Sequence, residues 1–173
     1  MDFFENSGAR GNGEWQSFCS AEAMESAAER LAGTLRADCT IALHGGLGVG
    51  KTTFVRGLAR GLGIAQEITS PSYNIYAIYD GVGVPAGTGS VPTSSESVPT
   101  SSGRGWRLVH MDAYRLASPE AFDALMLDEF LRSPWCFVVE WPEKILSALP
   151  MDALHLDFEI VSAGTHRVRV RGA

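Results

Sequence analysis

The apolar positions change their period several times along the chain, and each change marks an element. In the stretch 20–35, SAEAMESAAERLAGTL, Met24, Ala27, Ala28, Leu31 and Leu35 recur at helical spacing, and Ser20 stands where an N-cap belongs. The segment before it, EWQSFCS at 14–20, reads as a short edge strand. CTIALH at 39–44 is a short apolar strand, and TTFVRGLARGLG at 52–63 is a helix closed by Gly63. SYNIYAIYD at 72–80 and WRLVHMD at 106–112 carry the aromatic and β-branched residues of strands. SPEAFDALMLDEFLR at 118–132 predicts one helix, with Ser118 as cap and Pro119 in its first position. CFVVE at 136–140 is an apolar run ending in an acid, which suits a central parallel strand buried on both faces. ALHLDFEIV at 153–161 and HRVRVRG at 166–172 alternate and predict a terminal antiparallel hairpin. Strands and helices intermixed over 173 residues predict one α/β domain spanning 1–173, a mixed sheet flanked by helices.

One stretch breaks the pattern. Between the strands at 72–80 and 106–112, residues 81–104 hold a tandem repeat, SVPTSSE then SVPTSSG, with no aromatic side chain. Such a segment cannot bury enough apolar surface to offset its ordering entropy, so it reads as a disordered insertion at a hairpin tip.

Composition narrows the function. The net charge of −6 argues against gripping nucleic acid directly, which requires a basic face; any service to a nucleic acid then runs through a partner. Cys19, Cys39 and Cys136 are scattered, which fits a reduced, cytoplasmic setting. The first residues lack the pattern of a signal peptide, and no apolar run reaches the roughly 20 residues of a membrane span. Of fourteen basic residues twelve are Arg; the two lysines are Lys51 and Lys144.

Lys51 falls in the stretch that carries the chemistry. Gly45 to Thr52, GGLGVGKT, fits G-x-x-x-x-G-K-[ST], with a strand before it and a helix after it. Backbone N–H groups of such a loop converge on phosphate oxygens, and the following helix adds its positive end. Gly45, Gly48, Val49, Gly50, Lys51, Thr52 and Thr53 are therefore the candidate nucleotide-binding residues. Lys51 is placed to reach the β- and γ-phosphates and Thr52 to ligate Mg²⁺. The competing reading, a glycine-rich turn with a chance lysine, fits poorly in a chain that defaults to arginine.

A Mg²⁺–nucleotide site needs a further acid at a neighbouring strand end. Asp112 and Glu140 both qualify. The run ending in Glu140 is the more uniformly apolar, so its strand is expected beside the loop strand. Glu140 is assigned to the metal side, and Asp112 to orienting or activating water; the alternative for each is a solvated strand end or a helix cap. TSPSY at 69–73 reads equally as a γ-phosphate sensor or as a strand-entry turn. Arg115 has two readings, a contact to phosphate or a partner and the commoner surface ion pair, and His44 and His110 are read as packing at strand ends rather than binding metal. The N-K-x-D guanine-reading motif is absent, which disfavours GTP.

LHGGLGVGKTTFVRGLARGLG, TSPSY, HMDAYRL and VVEWPE stand in this order and spacing. Together they resemble the TsaE family of bacterial P-loop ATPases in tRNA threonylcarbamoyladenosine synthesis, over about 20–160 outside the insertion. The resemblance implies a P-loop NTPase-like mixed α/β fold that binds ATP and Mg²⁺. It implies work with a TsaB–TsaD complex on the adenosine next to the anticodon, in tRNAs reading codons that begin with A. Hydrolysis would reset that complex while other subunits transfer the group. By motif, Lys51 and Thr52 hold phosphate and Mg²⁺, Glu140 is the metal-side acid, Asp112 is the acid for hydrolysis, and Trp141 is the family's tryptophan beside the nucleotide. Gly46 departs from the pattern, since the family usually has an acid there, and Ser72 replaces a threonine. The competing functions are a small-molecule P-loop kinase and a nucleotide-dependent binding module. The long insertion has no basic residue before Arg104, which argues against a kinase lid.

Overall fold

The computed structural model describes residues 13–35, 38–71, 74–82 and 105–172. Ser72, Tyr73 and most of the repeat insertion, 83–104, lie outside the described residues. In chain order the elements are β1 (Gln16–Phe18), α1 (Ala21–Thr34), β2 (Cys39–His44), α2 (Lys51–Gly61) and β3 (Tyr76–Asp80), then β4 (Arg107–Asp112), α3 (Pro119–Asp123), β5 (Trp135–Glu140), β6 (Leu154–Ser162) and β7 (Thr165–Val170). The strands form one seven-stranded sheet in the order β1-β7-β6-β2-β5-β4-β3.

Its centre is parallel: β6, β2, β5 and β4 run together, so their carboxyl ends share one edge. The predicted terminal hairpin is present, and it continues the sheet, because β6 pairs with β2 on one side and β7 on the other. β3 and β4 are antiparallel, with Asp80 opposite Arg107, so the insertion joins the two strands of a hairpin.

Side-chain alternation divides the core between the two faces. Ile41, Leu43, Leu108 and Val138 face α1 and α2, together with Phe54, Val55 and Leu58 of α2. Ala42, Val109, Met111, Phe137 and Val139 face the other layer, around α3 and the short turns near it. β2 and β5 are largely apolar on both faces for this reason; the buried polar residues they carry are Thr40 and the two strand ends, His44 and Glu140. α1 and α2 cross at very close range: a Cβ on Gly57 would lie 2.1 Å from the Glu25 carbonyl oxygen. Glycine at 57 permits that approach.

Two expected boundaries move. The edge strand predicted over 14–20 is only three residues long, because Ser20 is used as the α1 cap, its Oγ accepting from the Ala23 N–H at 3.2 Å. The helix predicted over 118–132 ends at Asp123, and a 3-10 turn at Leu127–Phe130 follows Met126, which has φ 47°. Phe122, Leu125, Leu127, Phe130 and Leu131 all pack on the second core. No single face of a 3.6-residue helix carries those five positions, and Asp128 and Glu129 would oppose the dipole at its carboxyl end. Breaking the helix at Met126 lets the whole set turn inward.

Candidate functional site

β2 ends at His44 and the chain turns through the glycine loop into α2, whose first residues are Lys51 and Thr52. Gly50 forms the helix entrance with φ 99°, and a Cβ there would meet the Met24 sulfur at 2.8 Å. Conformation and space both call for glycine. Gly48 also has a positive φ, 76°, but there a Cβ would meet nothing within 4 Å, so the loop rims an open hollow. His166 of β7 braces the loop from behind, its Nδ1 lying 3.1 Å from the Val49 carbonyl oxygen.

The neighbouring strands deliver the acids. β5 lies between β2 and β4, as the apolar run 136–140 predicted, and Asp112 is in register with Glu140. Two carboxylates therefore stand on adjacent strand ends, one strand spacing apart, on the α2 side of the sheet. Thr52 Oγ1 donates to Glu140 Oε1 at 2.9 Å, and His110 Nε2 lies 2.9 Å from the same oxygen. Glu140 is buried; burial pushes its carboxyl up, but His110, Thr52 and the Lys51 charge outweigh that and hold it below the usual glutamate range. A carboxylate only accepts, so the Thr52 proton points at Glu140 and its lone pairs point away, as a hard cation needs.

Lys51 is buried, and its Nζ donates to the carbonyls of Gly45 at 2.8 Å and Gly46 at 2.7 Å. Burial lowers its pKa, against the opposing pull of Glu140, Glu143 and Asp112. The ammonium also lies 4.0 Å from the centre of the Trp141 ring. Trp141 takes φ 57°, a costly conformation for a bulky side chain, of the kind that gathers at functional sites. Tyr114 meets its edge with ring centres 5.2 Å apart, and Lys144 Nζ donates to the Tyr114 carbonyl at 2.7 Å.

Leu47, Gly48, Val49, Gly50, Lys51, Thr52, Thr53, Ser70, Asp112, Glu140 and Trp141 line a cleft of about 380 Å³. Every residue expected at the nucleotide lines it except Gly45, whose carbonyl anchors Lys51 instead. Asp112 Oδ1 accepts from the Tyr114 N–H at 3.0 Å, so this acid also caps a short turn. From TSPSY, Ser70 reaches the cleft; Ser72 and Tyr73 are outside the described residues. Arg115 is exposed, Arg56 donates to the Ile68 carbonyl, and Arg60 pairs with Glu25 and Glu29. A Cβ at Gly46 would meet nothing within 4 Å, so space does not explain the missing acid. Sequence reasoning gave no role to Tyr114, Lys144 and His166, and read His110 only as packing at a strand end. The signal for His110 was present: it stands two residues before Asp112 on one strand, hence on the same face.

The donor set fits a magnesium nucleotide: oxygen ligands at Thr52 and the acids, a lysine, and a loop open above Gly48. Comparison with known proteins gives the family. The family model described as "Threonylcarbamoyl adenosine biosynthesis protein TsaE" matches residues 18–169. The chain belongs to the TsaE family. Among TsaE relatives, the tRNA threonylcarbamoyladenosine biosynthesis protein of Treponema pallidum is 34% identical over 75% of this chain and 79% of its own. That of Streptomyces coelicolor is 37% identical over 77% of this chain and 76% of its own. The crystal structure of Bacillus subtilis YdiB superposes with a TM-score of 0.65 at 24% identity, covering 95% of this chain and 88% of the other, so the two share a fold. Among the described residues no helix is long and apolar enough to cross a membrane.

Proposed function

We propose that this chain is a Mg²⁺-dependent ATPase that serves threonylcarbamoyladenosine modification of tRNA in the cytoplasm, acting with a TsaB–TsaD type complex. The observation that carries the reading is the Thr52–Glu140 hydrogen bond at 2.9 Å, which ties the phosphate-loop helix to the adjoining strand end beside Asp112. When bound, Mg²⁺ neutralises phosphate charge and helps fix the phosphoryl group for in-line attack. Thr52 and Glu140 would hold it. Lys51, now lodged on two loop carbonyls, has the reach and the charge for the phosphates. Asp112 would orient the attacking water, and Trp141 would close the cleft beside the nucleotide.

The same arrangement argues for slow hydrolysis alone. Arg56 and Arg60 are engaged away from the cleft, so neither supplies the second cation that fast phosphoryl transfer uses. The partner complex would complete the site, and with a net charge of −6 the chain would meet tRNA through that complex. The test is steady-state phosphate release from ATP with the chain alone, with the TsaB–TsaD pair, and with the pair plus tRNA, each with and without Mg²⁺. A low Mg²⁺-dependent rate raised by the partners is expected. A rate that is high alone and indifferent to partners, or one needing an added small-molecule acceptor, overturns the proposal.

A further inference from the structure

His110 is fully buried on β4, between β3 and β5, with Ala77 and Val138 as its strand neighbours. Its Nε2 reaches diagonally across the β4–β5 pair to Glu140 Oε1 at 2.9 Å. Its Nδ1 is buried and has no hydrogen-bond partner. Buried polar atoms are nearly always paired, so an orphan of this kind calls for an explanation. For packing alone, a phenylalanine or leucine would fill the position without stranding a ring nitrogen. The carboxylate can only accept, so the ring donates from Nε2 and leaves Nδ1 bare; a proton on Nδ1 would be a buried donor with no acceptor.

Among the described residues, both hydrogen bonds to Glu140 fall on Oε1. A line of donors results: His110 to Glu140, and Thr52 to Glu140. The first fixes the carboxylate's rotation, and the fixed carboxylate then dictates where the Thr52 hydroxyl points its proton and its lone pairs. We infer that His110 is a positioning residue for the metal side of the cleft, setting Mg²⁺ affinity through Glu140 without touching nucleotide or metal. Outer-shell partners of this type typically change metal affinity or activity by about 10–100-fold.

The inference rests on the nucleotide reading above, and the experiment separates the two. ADP is titrated calorimetrically into wild type, His110→Phe, His110→Gln and His110→Asn, once in excess EDTA and once across a Mg²⁺ series; thermal unfolding checks that each variant is folded. Wild type is expected to gain affinity with Mg²⁺. His110→Phe should match wild type in EDTA and need about 10-fold or more Mg²⁺ for the same gain. Glutamine can place its amide near the position of Nε2 and should recover most of the gain; asparagine is too short and should not. The glutamine–asparagine contrast decides the matter even if the phenylalanine variant fails to fold. In wild type, nitrogen-15 spectra should show the His110 proton on Nε2. If all variants keep the wild-type Mg²⁺ series, if affinity falls equally in EDTA, or if Asn performs as well as Gln, the positioning role is wrong. If wild type binds no ADP with or without Mg²⁺, the nucleotide reading falls and takes this one with it.

Discussion

Gly57 lies in the middle of α2, where substitution by alanine ordinarily stabilises a helix by about 1 kcal/mol. Here the opposite sign is expected. The added methyl would stand 2.1 Å from the Glu25 carbonyl oxygen and 2.6 Å from its carbon and Cα, all three belonging to the α1 backbone. No side chain can rotate away, so α1 must withdraw by nearly 1 Å, the difference between 2.1 Å and the 3.0 Å floor for real contacts. Overpacking of this sort costs about 1–3 kcal/mol, and a backbone obstacle puts the case at the upper end. After the propensity gain, a net loss of about 1–2 kcal/mol remains, which lowers Tm by roughly 2–8 °C in a domain of this size. The control sits in α1 itself: a Cβ on Gly33 meets nothing within 4 Å, so Gly33→Ala should raise Tm by a few degrees. Thermal unfolding followed by circular dichroism is the assay. Because Met24 of α1 lies against Gly50, Gly57→Ala should also weaken nucleotide binding, whereas Gly33→Ala should not. A Tm for Gly57→Ala equal to or above wild type would refute the claim that the helix crossing is at its limit.

Lys51→Ala should remove measurable ATP binding by calorimetry, since it deletes the one side-chain cation in the loop; wild-type affinity would sink the phosphate-loop assignment. Glu140→Ala should weaken Mg²⁺-dependent binding and hydrolysis together, while Asp112→Ala should spare ATP affinity and slow turnover by about 100-fold or more; the reverse pattern would show the two strand ends to be misassigned. His44 and His155 share a hydrogen bond of 2.8 Å, and burial holds both below the ordinary histidine range. The unfolded chain then binds more protons than the fold, so their contribution is intact above the unfolded value of about 6.5 and is lost as pH falls through the folded values. Tm should drop from pH 7 toward 5, less steeply in His155→Leu; a wild-type Tm that rises over that interval would contradict the buried neutral pair.

Much of this arrangement was legible in the sequence, for a physical reason. Strands buried on both faces, such as CTIALH and CFVVE, show as unbroken apolar runs, so β2 and β5 and their adjacency followed from composition alone. The turn from β2 through Gly45 to Thr52 into α2 was legible because its glycines and the flanking apolar patterns mark a strand–loop–helix junction. The α3 region was not, since SPEAFDALMLDEFLR has helical propensity throughout and the break at Met126 answers to a core formed by distant strands. His110 does pack near a strand end, as expected, but its hydrogen bond to Glu140 was not foreseen: a histidine in a strand carries no mark of its partner, and Glu140 is thirty residues away in the chain. Tyr114 and Lys144 meet beside Trp141 through turns that follow two different strands, which no local pattern foretells.

The base of the repeat insertion is stapled by Arg107, which donates to Asp80 through Nε at 2.6 Å and through Nη2 at 2.8 Å. Arg107 opens β4 and Asp112 closes it, so the staple and the cleft stand at opposite ends of one strand. At about 3.3 Å per residue, roughly 17 Å of paired backbone separates them. That distance makes the β3–β4 junction an attachment point for a fluorophore or an affinity handle: a label beyond the staple would report tumbling and assembly of the protein while the cleft end stays chemically untouched.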